Sequence, residues 1–114
     1  MKASLNNYRQ APRKVRLTAE LIKGKSAVQA QGILTHLIKR GALPMKKLLD
    51  SAVANAGVPA SDLVVKTATV DKGVVAKRWM PRAMGRAFPI HKHTSHVYIE
   101  LANVTDTKAA KETK

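Results

Sequence analysis

His91, His93 and His96 form the one grouping in this chain whose residue types and spacing suggest a metal or acid–base site. On a strand, alternate side chains share a face, so His91 and His93 stand together and His96 points away. The chain has no cysteine, and the nearest acid, Glu100, falls on the His96 face. The set therefore favours contact with phosphates or bases over a metal site. A nucleophile triad needs a serine, a histidine and an acid brought together, and acids are too scarce to suggest one. Neither a G-x-x-x-x-G-K-[ST] phosphate loop nor a G-x-G-x-x-G turn occurs. No enzyme activity and no cofactor are expected.

The histidines end a longer feature. Residues 72–99 contain no carboxylate, yet they carry Lys72, Lys77, Arg78, Arg82, Arg86 and Lys92. The middle of this run, residues 77–87, has no regular helical or strand period, while both flanks read as strand. A basic arm that cannot bury itself needs a polyanion to lie against. Trp79, Phe88 and Tyr98 interleave with its cations, and aromatic rings among Arg and Lys can stack on unpaired bases. Tyr98 is expected to pack on the domain instead; Trp79, the only tryptophan, has no neighbouring apolar stripe to join.

The 114 residues allow one domain and one modest core. Lys and Arg total 21 against seven acids, a formal net charge of +14, which calls for a densely negative partner. No apolar run is long enough to span a membrane. Residues 1–16 are polar and basic without the apolar centre of a secretory leader, and the absence of cysteine fits a reducing compartment, so a cytoplasmic location is expected. Residues 105–114 mix charges with small residues and are expected to be a disordered tail to a single domain of residues 1–104.

The elements that must hold these residues follow from periodicity. Pro12 suits a first helical position. Val15, Thr18, Ala19 and Ile22 then line one face, opposite Arg13, Arg16, Glu20 and Lys23, with Gly24 as the stop. Ser26 and Gln29 resemble a capping box before an apolar stripe of Ala30, Ile33, Leu34, Leu37 and Ile38, ending at Gly41, with His36, Lys39 and Arg40 on the polar side. A third helix is predicted from near Pro44, facing Met45, Leu48, Leu49, Ala52, Val53 and Ala56 inward, and closed by Gly57 and Pro59. Residues 63–70 read as a strand. His93, Ser95, Val97, Ile99 and Leu101 alternate with polar neighbours as a half-buried strand. Residues 2–9 add a third strand of poor pattern. The expected fold is α+β: three helices on a small three-stranded antiparallel sheet, with a long protruding β-hairpin at about residues 70–96. Pro81, Gly85 and Pro89 are expected to end ordinary pairing and shape its tip.

Several blocks together resemble the large-subunit ribosomal protein twenty-two family. They are Ala11-Pro12-Arg13-Lys14-Val15-Arg16-Leu17 with Leu21-Ile22-Lys23-Gly24-Lys25, then Leu48-Leu49-Asp50-Ser51-Ala52-Val53-Ala54-Asn55-Ala56, then Val70-Asp71-Lys72-Gly73. Lys77-Arg78, Pro81-Arg82-Ala83, Gly85-Arg86-Ala87, Ile90 and Thr94-Ser95-His96 complete the match, in the right order. The resemblance implies a structural protein that binds large-subunit rRNA, aids its assembly and acts as a monomer among other large-subunit proteins. It implies a hairpin lining the exit tunnel, beside the nascent peptide. By position, rRNA contacts fall on Arg13, Lys14, Arg16, Lys23, Lys25, Lys77, Arg78, Arg82, Arg86, Lys92 and His93. The tunnel-lining tip falls on Ala76, Lys77, Arg78, Trp79, Met80, Pro81, Arg82, Ala83, Met84, Gly85 and Arg86. Residues alone leave one alternative, an architectural duplex-DNA protein with Pro-tipped β-arms.

Overall fold

The computed structural model describes residues 1–107. The chain runs β1 (Lys2–Tyr8), α1 (Pro12–Ile22), α2 (Ala27–His36), α3 (Ala42–Ala56), β2 (Leu63–Lys72), β3 (Ala76–Pro81), β4 (Ala87–Lys92) and β5 (Ser95–Asn103). Three helices pack on an antiparallel sheet of order β1-β5-β2, and β3 pairs with β4 as a separate two-stranded ribbon. The α+β architecture is thus the expected one. The molecule measures 64 × 30 × 21 Å, and its radius of gyration of 17.6 Å exceeds the roughly 13 Å of a compact chain this long. The ribbon accounts for the excess length, because nearly all of its side chains are exposed.

Helix α1 begins as its sequence dictates. Ala11 is the N-cap with Pro12 first inside, and Val15, Thr18, Ala19 and Ile22 are buried. Gly24 follows in the left-handed region at φ 77°. Its N–H donates to the Val65 carbonyl at 2.9 Å, which ties the helix end to β2. In α2 the Ser26 hydroxyl accepts from the Gln29 N–H at 3.3 Å, which caps the helix as its sequence suggests. The helix ends sooner than the stripe predicts. Leu37 turns extended after its N–H bonds the Ile33 carbonyl at 3.0 Å, and Ile38 is 97% exposed. Residues 37–41 are needed to reverse the chain into α3, which starts at Ala42 rather than Pro44. Pro44 is tolerated because first-turn amides have no helical acceptor.

Met45, Leu48, Leu49 and Ala52 of α3 meet Val65 and Val70 of β2 and Val97, Ile99 and Leu101 of β5 in one core. On β5 the buried residues are Ser95, Val97, Ile99 and Leu101, so the predicted alternation holds from Ser95 onward. His93 is a correction: it is exposed and lies outside the strand. The cause is the junction between body and arm. Lys72↔Ser95 is the last body pair and Ala76↔Lys92 the first arm pair, so residues 73–75 face only 93 and 94. One extra residue on the outgoing strand acts as a bulge that bends and twists the ladder. Gly73 N–H donates to the Thr94 carbonyl at 2.9 Å, and the Thr94 hydroxyl donates to the Val74 carbonyl. Thr94, not His93, takes the buried place.

Residues 77–87 also correct the sequence reading, because they include most of β3. A ribbon exposed on both faces needs no apolar alternation, so its period is absent. Pro89 does not end pairing but sits opposite Trp79 within β4. An isolated ribbon has free edges, where a missing N–H costs no ladder bond. The tip reverses through Met84 at φ 59° and Gly85 at φ 67°, closed by Arg82 N–H donating to the Arg86 carbonyl at 2.7 Å. Residues 104–107 form a helical turn after β5, and the remainder of the predicted tail, 108–114, lies outside the described residues.

Two substitutions separate core from junction. Leu49→Ala should cost about 2–5 kcal/mol in urea unfolding, since Leu49 is fully buried. Gly73→Ala should cost about 1–3 kcal/mol, because a Cβ there meets the Thr94 hydroxyl at 2.5 Å and the Thr94 backbone at 3.2 Å. Unchanged stability in Gly73→Ala would remove the close crossing from the account.

Candidate nucleic-acid interface

The N-terminus of α1 faces the root of the arm, and cations converge between them from four segments. A cleft of about 700 Å³ is lined by Arg9, Gln10, Ala11, Lys14, Arg40, His91, Lys92 and His93. A second, of about 310 Å³, is lined by Ala11, Pro12, Arg13, Arg16, Lys72 and His93. Ala11 and His93 belong to both, so the two clefts flank the helix start. No carboxylate lines either one.

Each segment is held in place by a particular contact. The Tyr8 hydroxyl donates to the Arg40 carbonyl at 3.4 Å, which fixes the α2–α3 connection beside the end of β1. Gly41 follows directly, packed near Thr18 and Gln10 at ordinary contact distance. Arg16 Nε donates to the Val70 carbonyl at 3.1 Å, which binds α1 to β2 just before the arm departs. His91, near the end of β4, and His93, just beyond it, stack with ring centroids 6.1 Å apart. Among the described residues no three histidine or acid side chains converge on a metal position.

The field in these clefts is positive and unneutralised. The one ion pair among the described residues joins Lys66 and Glu100 at 3.6 Å, on the sheet face opposite the core, and neither residue lines either of these clefts. Ala11 gives α1 no side-chain cap, and its first turn holds no acid. The helix dipole adds a partial positive charge there to the surrounding cations. Crowding Arg9, Arg13, Lys14, Arg40 and Lys92 around such an end is unfavourable until an anion arrives. A backbone of successive phosphates suits two adjoining clefts better than any single ion does.

The structure gathers some of the sequence-predicted residues and disperses others. Arg13, Lys14, Arg16, Lys92 and His93 come together at the arm root. Lys23 and Lys25 lie at the opposite end of α1, about 16 Å away for eleven helical residues. Lys77, Arg78, Arg82 and Arg86 are exposed along the ribbon, which leaves the body for about 20 Å of strand. The predicted tip residues 76–86 run from the first rung of the ribbon through its whole outgoing strand to the turn, with Trp79 68% and Met84 93% exposed.

Sequence reasoning missed Arg9 and Arg40 as members of the cluster, and took His91 and Lys72 only as part of the basic arm. Arg40 had been placed on the polar face of α2, whereas the early end of that helix moves it into the connection. Phe88 is 50% exposed on the arm, while Tyr98 is half-buried on β5 between Ser4 and Thr69.

Residues 3–102 match the family described as Ribosomal protein L22p/L17e. The chain is 51% identical over 104 residues to the large ribosomal subunit protein uL22 of Anaeromyxobacter sp. (strain Fw109-5), covering 87% of this chain and 72% of that one. It is 46% identical over 102 residues to the protein of the same name from Herpetosiphon aurantiacus, covering 86% and 90% of the two chains. The uL22 of Mesoplasma florum is 51% identical over 102 residues, covering 86% and 91%.

The missed residues supply the sharpest test of the interface. Replacing Arg9 and Arg40 together by alanine should lower the slope of log affinity against log salt by about 1.5 for a structured RNA, as two phosphate contacts are lost. Filter binding across a salt series measures it, and an unchanged slope would exclude the cleft from the interface.

Proposed function

This chain belongs to the ribosomal protein L22p/L17e family, and from that premise we propose that it binds large-subunit rRNA through the clefts at its arm root and lays its β-hairpin along the nascent-peptide exit tunnel. It is a structural constituent of the large ribosomal subunit, not an enzyme, and it works within the ribosome among rRNA and other proteins. Family membership sets aside the duplex-DNA alternative. Among the described residues no helix is long and apolar enough to cross a membrane.

The observation that carries the rRNA reading is the combination of an exposed arm with a carboxylate-free charge. The side chains of residues 77–89 are all exposed, and no acid occurs from 72 to 99. A ribbon of two strands is marginal alone and gains rigidity when a surface covers it. The mechanism needs no chemistry. Arg13, Lys14, Arg16, Lys92 and His93, joined by Arg9 and Arg40, anchor the body by neutralising phosphates and releasing counterions. Arg78, Arg82 and Arg86 thread the arm between RNA segments, and Lys23 and Lys25 reach RNA on the far side of α1. With the body fixed, residues 76–86 reach the tunnel and pass beside the nascent peptide.

Two experiments test the two halves. Arg78, Arg82 and Arg86 replaced together by alanine should keep the body's hydroxyl-radical footprint on large-subunit rRNA and lose the arm's; equal protection along the arm in both proteins contradicts the threading. A photoreactive side chain at Met84 in assembled subunits should capture a stalled nascent peptide, and one at Lys23 should not. Capture at neither position contradicts the tunnel placement.

A further inference from the structure

The two faces of the ribbon are chemically different. Register places Lys77 opposite His91, Trp79 opposite Pro89 and Pro81 opposite Ala87, so these side chains share one face. Ala76 with Lys92, Arg78 with Ile90 and Met80 with Phe88 form the other. On that second face Ile90 is half-buried, and Met80 and Phe88 are 43% and 50% exposed as an opposed apolar pair. On the first face Trp79 is 68% exposed, with a proline as its cross-strand partner.

We propose that Trp79 is a base-stacking residue: its indole takes the face of an unpaired RNA base, while Lys77 and His91 beside it take the flanking phosphates. This rests on the rRNA-binding reading and names what the arm recognises there. Trp79 has no place in the body's core, and the pair next to it on the same face, Lys77 and His91, carries nitrogen donors and no carboxylate. That surroundings suit a polyanion rather than a peptide. Pro89 opposite has a fixed φ, which stiffens the strand that backs the ring. Base faces are covered in an RNA duplex and open only in loops, bulges and junctions, so the site selects unpaired nucleotides. Stacking tolerates any base, because each has a π-face.

The chain has one tryptophan, so its fluorescence reports this residue alone. Full-length protein is titrated with protein-free large-subunit rRNA and with a fully paired RNA duplex, and retention on filters records binding independently. The rRNA should quench the emission to saturation and the duplex should not. Trp79→Ala and Trp79→Leu should each lose about 5- to 150-fold in affinity, whereas Trp79→Phe keeps most of it. Unchanged melting curves for these exposed-site variants confirm that the fold is intact. Retention of wild-type protein with unquenched emission, or Trp79→Leu binding as wild type does, overturns the stacking role while leaving rRNA binding in place. Emission that responds in assembled ribosomes only when a nascent peptide is present overturns it in favour of a peptide contact. Absence of wild-type retention on rRNA overturns the underlying reading as well.

Discussion

Lys72 pairs with Ser95 at the last rung of the body's sheet, and immediately beyond it Gly73 donates to Thr94. The ladder that completes the core therefore also aims the arm. β5 runs through the middle of the sheet, paired to β1 on one side and β2 on the other, and its inward residues Val97, Ile99 and Leu101 meet the helices. Any slip in this register by one residue would turn those side chains outward and redirect the ribbon together. The bulge at 73–75 converts a continuous hairpin into two pieces with different tasks. One piece closes the core, and the other projects charge.

Charge and burial are divided along the same line. The core is built from α1, α2, α3 and the three-stranded sheet, and cations are kept off its inner faces. Those cations collect instead where α1 begins and the arm departs, and along the arm itself. Repulsion among them opposes the compact state of the free protein and favours the bound one. On the proposed reading, association with rRNA relieves that repulsion, which suits a protein whose working state is an assembly. The ribbon shows the same logic: with both faces in water it has little of its own to hold it straight.

Much of the body was legible in the sequence. Pro12 with Val15, Thr18, Ala19 and Ile22 specified α1, and alternation from Ser95 to Leu101 specified β5, because each buries one face and so leaves a period. Where no face is buried the period vanishes, which is why β3 was unreadable within residues 77–87. Helix ends were hard for a different reason. The exposure of Ile38 follows from the need to reverse the chain before Ala42, a demand of tertiary geometry rather than local preference. The cluster at the arm root was only half visible. Arg13, Lys14 and Arg16 lie together in sequence, with Arg9 just ahead of them, but Arg40 and His91 join them only after the fold brings two distant segments to one helix end.

The central claim is that the arm takes its rigidity from rRNA and the body from its own core. Hydrogen–deuterium exchange of the free protein and of assembled large subunits compares the two directly. In the free protein, β3 and β4 amides should exchange at the earliest time while β5 amides stay protected, and in the subunit both should be protected. Arm amides as slow as those of β5 in the free protein would contradict the account.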